Sequence, residues 1–184
     1  MTDNPIIWTP SSERIDSSSM FEFMKNSGFD DYDSLYRWSV DDSPSFWESY
    51  CDYAGILFDK PADRTLLRPD DIMDAGWFAG SRLNYARNLL RFDGSRVALV
   101  FCGEDGSRRE LTRAELRAAV AAVAAALRAA GVAEGDRVAG YLPNCIEAIV
   151  AMLATASIGA IWSSCSPDFG VNGIVDRFGQ IEPR

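Results

Sequence analysis

The hydrophobic pattern changes character near the middle of the chain. Over residues 1–94, apolar and aromatic positions come in short clusters at helical spacing between polar and acidic stretches. Ser19-Met20-Phe21-Glu22 has the form of a capping box, in which the serine oxygen accepts the N3 amide and Glu22 reaches back to the cap. In Ser43-Pro44-Ser45-Phe46-Trp47-Glu48, Ser43 can cap and Pro44 suits a first-turn position where its missing N–H costs nothing. Gly55 can then end that helix in a left-handed conformation, with Phe46, Trp47, Tyr50 and Ala54 sharing one face. Residues 59–76, with Pro61, Pro69 and an acidic run, read as an irregular loop before a short helix over 83–91.

From residue 95 onward strands and helices alternate. Residues 96–102 (RVALVFC) are apolar and β-branched, Gly103-Glu104-Asp105-Gly106 is a turn, and 107–111 can return as a hairpin strand. Thr112-Arg113-Ala114-Glu115 is a second capping box, opening a helix in which Leu116, Val120, Val123 and Leu127 recur at helical steps before Gly131. Residues 137–142 read as a strand, Pro143-Asn144 as turn and cap, 145–158 as a helix stopped at Gly159, 160–165 as a strand and 171–184 as a crossover helix. This order predicts an α/β fold: a helical amino-terminal extension, then the first part of a mostly parallel sheet with right-handed crossover helices.

The helix at 145–158 carries Ile146, Ile149, Val150, Met152, Leu153 and Ile158 with alanines between them, so it must be buried nearly all round. Each such side chain contributes about 1.5–3 kcal/mol when buried, and exposing two would consume much of a stability of about 5–15 kcal/mol. Three strands, or four with the hairpin, precede a last helix that has no strand after it, and a parallel sheet needs that strand. The expectation is therefore the front of a longer domain, the alternative being a small α/β domain with a helix-covered edge.

Composition narrows the function. An apolar share of 47% suits a packed core, and a formal charge of -9 without any Lys/Arg-rich run argues against nucleic acid as a partner. The apolar stretch at 145–161 is broken by Glu147, Thr155, Ser157 and Gly159, short of the roughly 20 continuous residues that span a bilayer. The first residues show no basic segment followed by an apolar one, so the expectation is a cytoplasmic protein with no membrane partner. Cys51, Cys102, Cys145 and Cys165 lie far apart and the chain has no histidine, which argues against a metal site and excludes histidine acid–base catalysis within these 184 residues.

Several stretches carry a resemblance. They are DSLYRWSV (33–40), Phe46-Trp47, WFAGSRLNYARNLL (77–90), GYLPN (140–144), AMLATASIGAIWSSCSPDFG (151–170) and DRFGQIEPR (176–184). In that order they resemble the acetoacetyl-CoA synthetases of the adenylate-forming superfamily, over nearly the whole chain. Acetyl-CoA and propionyl-CoA synthetases are similar in layout, but IWSSCSPDFG and DRFGQIEP are not expected in them. Arg87 departs from the family pattern, which has an acidic residue there, and Cys145-Ile146 stands where relatives often have a proline, which bears on the geometry of the helix start.

The resemblance implies an acid–thiol ligase: acetoacetate attacks ATP to give an acyl-adenylate and pyrophosphate, and the CoA thiol then displaces AMP. ATP, CoA and acetoacetate are the implied small-molecule substrates, with Mg expected for the complete enzyme. Residues 1–94 would be the helical extension and 95–184 the start of an incomplete AMP-binding (adenylation) domain. The phosphate loop and catalytic lysine of the family have no counterpart in these residues, so no catalytic residue is assigned and the 184 residues alone are expected to be inactive. A non-catalytic CoA-binding or structural module derived from such an enzyme, or part of another short-chain acyl-CoA synthetase, stays open.

By the same resemblance, Ser166, Pro167 and Asp168 lie beside the nucleotide end of CoA, where the carboxyl ends of parallel strands also tend to place ligands. The plain alternative is a turn into the next helix with Ser166 or Asp168 as its cap. Ser163 to Ser166 offer hydroxyls but neither glycine nor lysine, a weak match to a phosphate loop. Asn84 reads as a helix cap, Arg82 as a solvated charge, and Trp38, Trp47 and Trp77 as core.

Overall fold

Residues 5–92 and 94–184 are described by the computed structural model, and their contacts divide the chain between Arg82 and Leu83 into two units. In the first, side-chain oxygens start each helix. Ser11, Ser18, Asp31 and Asp42 accept a backbone N–H at the start of α1 (Ser12–Asp16), α2 (Ser19–Asn26), α3 (Tyr32–Asp41) and α4 (Ser43–Tyr53).

Two of these caps sit one residue earlier than the sequence suggests. Ser18 Oγ accepts from Phe21 N at 3.2 Å, and Glu22, instead of closing a box on Ser19, accepts the Tyr53 hydroxyl at 2.9 Å. Ser43 Oγ donates to the Ser39 carbonyl at 2.7 Å, because Asp42 alone links α3 to α4 and is the residue outside both helices. Gly55 does take a left-handed φ of 61° after α4, its N–H reaching Asp52 O at 3.0 Å.

The stretch expected as irregular contains a hairpin. β1 (Arg64–Leu67) pairs antiparallel with β2 (Gly76–Ala79), Leu66 opposite Trp77. Each strand has only four residues, and Pro61 and Pro69 flank β1 instead of interrupting it. Thr65 is buried in β1 and donates to Glu48 of α4. Phe23, Met24 and Leu35 form the buried centre of this unit, packed against Phe29, Trp38, Phe46 and Tyr53.

The second unit follows the alternating pattern. It comprises α5 (Tyr85–Leu89), β3 (Val97–Cys102), β4 (Arg108–Thr112), α6 (Arg113–Ala129), β5 (Arg137–Tyr141), α7 (Ile146–Ser157), β6 (Ile161–Cys165) and α8 (Gly170–Ile181). β3 and β4 form an antiparallel hairpin, and β5 and β6 pair in parallel from Arg137 opposite Ile161 to Tyr141 opposite Cys165. The hairpin keeps its own ladder and does not join the parallel pair, while α7 packs against both β3 and β5.

The second capping box forms as read. Glu115 N–H donates to Thr112 Oγ1 at 3.2 Å, and Thr112 N–H donates to Glu115 Oε2 at 2.8 Å. The backbone donor, then the threonine hydroxyl, hold the Glu115 carboxyl below its ordinary value of 4.5. A depressed carboxylate adds stability that is present above about pH 4.5 and lost as pH falls through the lowered value. Glu115→Gln should therefore make the unfolding midpoint less sensitive to acidification between about pH 5 and pH 3, as read in urea titrations at each pH. An unchanged pH slope would remove this box from the acid response.

At the other helix, Asn144 is not the cap: Cys145 holds that position and supplies no side-chain bond. Along α7 every residue but Glu147 is buried or half-buried, as its composition requires. Ile146, Val150, Leu153 and Ala154 join Ala86, Leu116, Val120 and Ala124 in one core. Within it, Thr155 Oγ1 is the one buried side-chain oxygen or nitrogen, among the described residues, without a hydrogen-bond partner. Thr155→Val keeps the shape, removes that desolvated hydroxyl and should stabilise by about 1 kcal/mol. Thermal or urea unfolding checks it, and a lowered midpoint would mean that the hydroxyl is satisfied. No helix of the described residues is long and apolar enough to cross a membrane.

Candidate functional site at the ends of the parallel strands

The parallel strands β5 and β6 end side by side at Tyr141 and Cys165, and Leu142 N–H extends their ladder to Cys165 O at 3.3 Å. A Trp162 ring lies across the middle of this pair. A Cβ on Gly140 would fall 2.7 Å from Trp162 Cζ2, which is the physical reason for glycine inside β5. Cys165 is buried, in keeping with a small apolar role.

Beyond β6 the chain makes a single 3-10 turn, Pro167–Phe169, before α8. Ser166 caps it: its hydroxyl accepts Asp168 N–H at 3.3 Å and donates to Asp168 Oδ2 at 2.7 Å. Ser166, Pro167 and Asp168 thus come together in one exposed or half-exposed turn at the carboxyl ends of both strands. Two contacts tie the turn to its neighbours. The Tyr141 hydroxyl donates to Pro167 O at 3.0 Å, and the Arg177 guanidinium lies 3.8 Å from the centre of the Phe169 ring. Gly170 leaves the turn at a φ of 63°, and α8 begins without a side-chain cap.

Chemically the turn presents a hydroxyl, a carboxylate and backbone groups. Asp168 favours ligand groups that donate hydrogen bonds, such as sugar hydroxyls or an amino group, and works against a phosphate placed directly on it. Among the described residues no group of three or more Cys, Asp or Glu side chains is arranged to hold a metal ion. Of the three turn residues only Asp168 carries a carboxylate, and magnesium that travels with ATP is held largely by phosphate oxygens and water.

The other candidates are structural. Asn84 caps α5, accepting Arg87 N–H at 3.0 Å, and its amide donates to Ala156 O of α7 at 2.9 Å. Arg82 pairs through its backbone with Lys60 in the first unit. Trp38 packs among Phe23, Phe29 and Phe46 as expected of a core residue, but Trp47 and Trp77 do not enter the core: they meet edge-on at 6.2 Å and stay 41% and 46% exposed. Tyr141, Phe169 and Arg177 were not singled out by sequence; the available signal was an aromatic at the last position of a strand that feeds a ligand-side loop.

Residues 86–184 match the family described as AMP-binding enzyme, more than half of the chain. The chain belongs to that family. Residues 32–89 match a second family, acetyl-coenzyme A synthetase N-terminus. Among relatives of this chain, the acetoacetyl-CoA synthetase of Xenopus tropicalis is 46% identical, over 97% of the chain and 28% of the relative. The acetoacetyl-coenzyme A synthetase of Rhizobium meliloti (strain 1021) has the same 46% identity and the same coverage, 97% and 28%. A solved structure of the acetoacetyl-CoA synthetase from Streptomyces lividans superposes with a TM-score of 0.83 at 41% identity, covering 96% of this chain and 29% of that one. The chain spans about 28% of the length of the curated relatives that it matches.

Proposed function

We propose that these residues serve an ATP-dependent acetoacetate–CoA ligase. Residues 1–94 would supply its helical extension and 95–184 the opening of its adenylation domain. The observation that carries the reading is continuous similarity, 46% identical over 97% of the chain, to proteins named acetoacetyl-CoA synthetase. In this reading the acetoacetate carboxylate attacks ATP, pyrophosphate leaves, and the CoA thiol attacks the acyl-adenylate carbonyl as AMP departs. Magnesium would accompany ATP through groups outside this turn, and the enzyme would work in the cytoplasm on small molecules.

The part assigned to the present residues is to line the CoA path with Ser166, Pro167 and Asp168. Their supporting feature is the turn at the carboxyl ends of β5 and β6, a place where α/β sheets tend to hold ligands. Asp168 and Ser166 suit the hydroxyl- and amino-bearing nucleotide of CoA better than its phosphates.

The test is ATP–pyrophosphate exchange and CoA thioester formation by the ligase carrying this segment. Acetoacetate should support both, with acetate poorer by about tenfold or more, the scale of discrimination that a few contacts provide. Equal use of acetate would move the reading to another short-chain acyl-CoA synthetase. An absence of exchange with any short-chain acid would favour a non-catalytic module.

A further inference from the structure

Tyr141 ends β5 with its side chain 47% exposed at the carboxyl edge of the parallel pair. Its hydroxyl donates to the carbonyl of Pro167, a residue of the turn that follows the neighbouring strand. The bonds between Ser166 and Asp168 span two residues, so they set the turn's shape but not its attitude to the sheet. On the far side, Gly170 has a positive φ of 63°, and the Arg177–Phe169 contact ties the turn to α8. The Tyr141 bond runs from the turn to β5, the strand lying beside the one the turn follows.

We infer that Tyr141 is a positioning residue: its hydroxyl fixes the Pro167 peptide against β5 so that Ser166 and Asp168 face the CoA nucleotide. This rests on the CoA-lining role proposed above. The bond is neutral and half exposed, so it adds little to global stability, but placement of a ligand-facing turn is sensitive to small displacements. Tyr141→Phe keeps the ring and deletes only the donor.

The first measurement is hydrogen exchange on the ligase carrying this segment. Tyr141→Phe should raise exchange over residues 166–170 several-fold while α6 and α7 keep theirs; unchanged exchange there overturns the inference. In the ligase carrying this segment, Tyr141→Phe should raise KM for CoA about 3–10-fold and leave acetoacetate-dependent ATP–pyrophosphate exchange unaltered. Equal losses in both half-reactions would overturn it, since a merely structural defect does not spare adenylation. Ser166→Ala and Asp168→Asn separate the two readings. If they leave KM for CoA unchanged while Tyr141→Phe still loosens the turn, the latch stands and the CoA role falls; if they raise it and Tyr141→Phe does not, the CoA role stands and the latch falls.

Discussion

Phe23→Ala is expected to destabilise the first unit by about 3–5 kcal/mol. Phe23 is 5% exposed, and its ring meets Tyr53 at 5.1 Å, Tyr50 at 5.6 Å, Phe46 at 5.8 Å and Trp38 at 6.4 Å between centroids. Rings from α3 and α4 therefore converge on one side chain of α2, and truncation removes both its burial and its edge-to-face contacts. With a total stability of about 5–15 kcal/mol, a loss of this size leaves a substantial unfolded fraction. Urea unfolding followed by tryptophan fluorescence reads it, because Trp38 lies in the same cluster. A loss under about 1 kcal/mol would show that the cluster is not a cooperative core.

The second large effect belongs to α7. Leu153 is 3% exposed, among Ala86, Leu116 and Val120 on other elements of the unit. Leu153→Ala should cost about 2–5 kcal/mol, and Leu153→Met, which nearly conserves volume, less than about 1.5 kcal/mol. Circular dichroism at 222 nm during urea titration compares the two variants. Equal losses would mean that side-chain volume is not what α7 contributes.

The sequence made the second unit legible where its helices carry their own punctuation, which the starts of α7 and α8 lack. Thr112 and Glu115 box α6, Gly131 and Gly159 take left-handed conformations after α6 and α7, and the apolar periodicity matches the buried positions Leu116 and Val120. The first unit was less legible for two physical reasons. Serine and aspartate follow each other closely at its helix starts, so Ser18 or Ser19, and Asp42 or Ser43, are equally competent caps until the chain's path chooses. β1 is four residues long, too short to show alternation, and its pairing with β2 is settled by packing on α4.

For the candidate site, the order of Ser166, Pro167 and Asp168 implied a turn, and the turn is there. Its ties were not legible, because Tyr141 and Pro167 stand 26 residues apart and only the parallel register of β5 with β6 makes them neighbours. IWSSCSPDFG and DRFGQIEP resemble acetoacetyl-CoA synthetases from sequence alone, and the relatives bear that name.

The packing around α7 also has an order in time. α5, β3, α6 and β5 precede this helix in the chain and β6 follows it. A ribosome therefore delivers the stickiest segment of the unit after most of its cover has left the exit tunnel. The stretch from Ile146 to Cys165 emerges in about 1–4 s at ordinary translation speeds. That interval is how long nascent α7 waits for β6, a span in which a chaperone has cause to hold it.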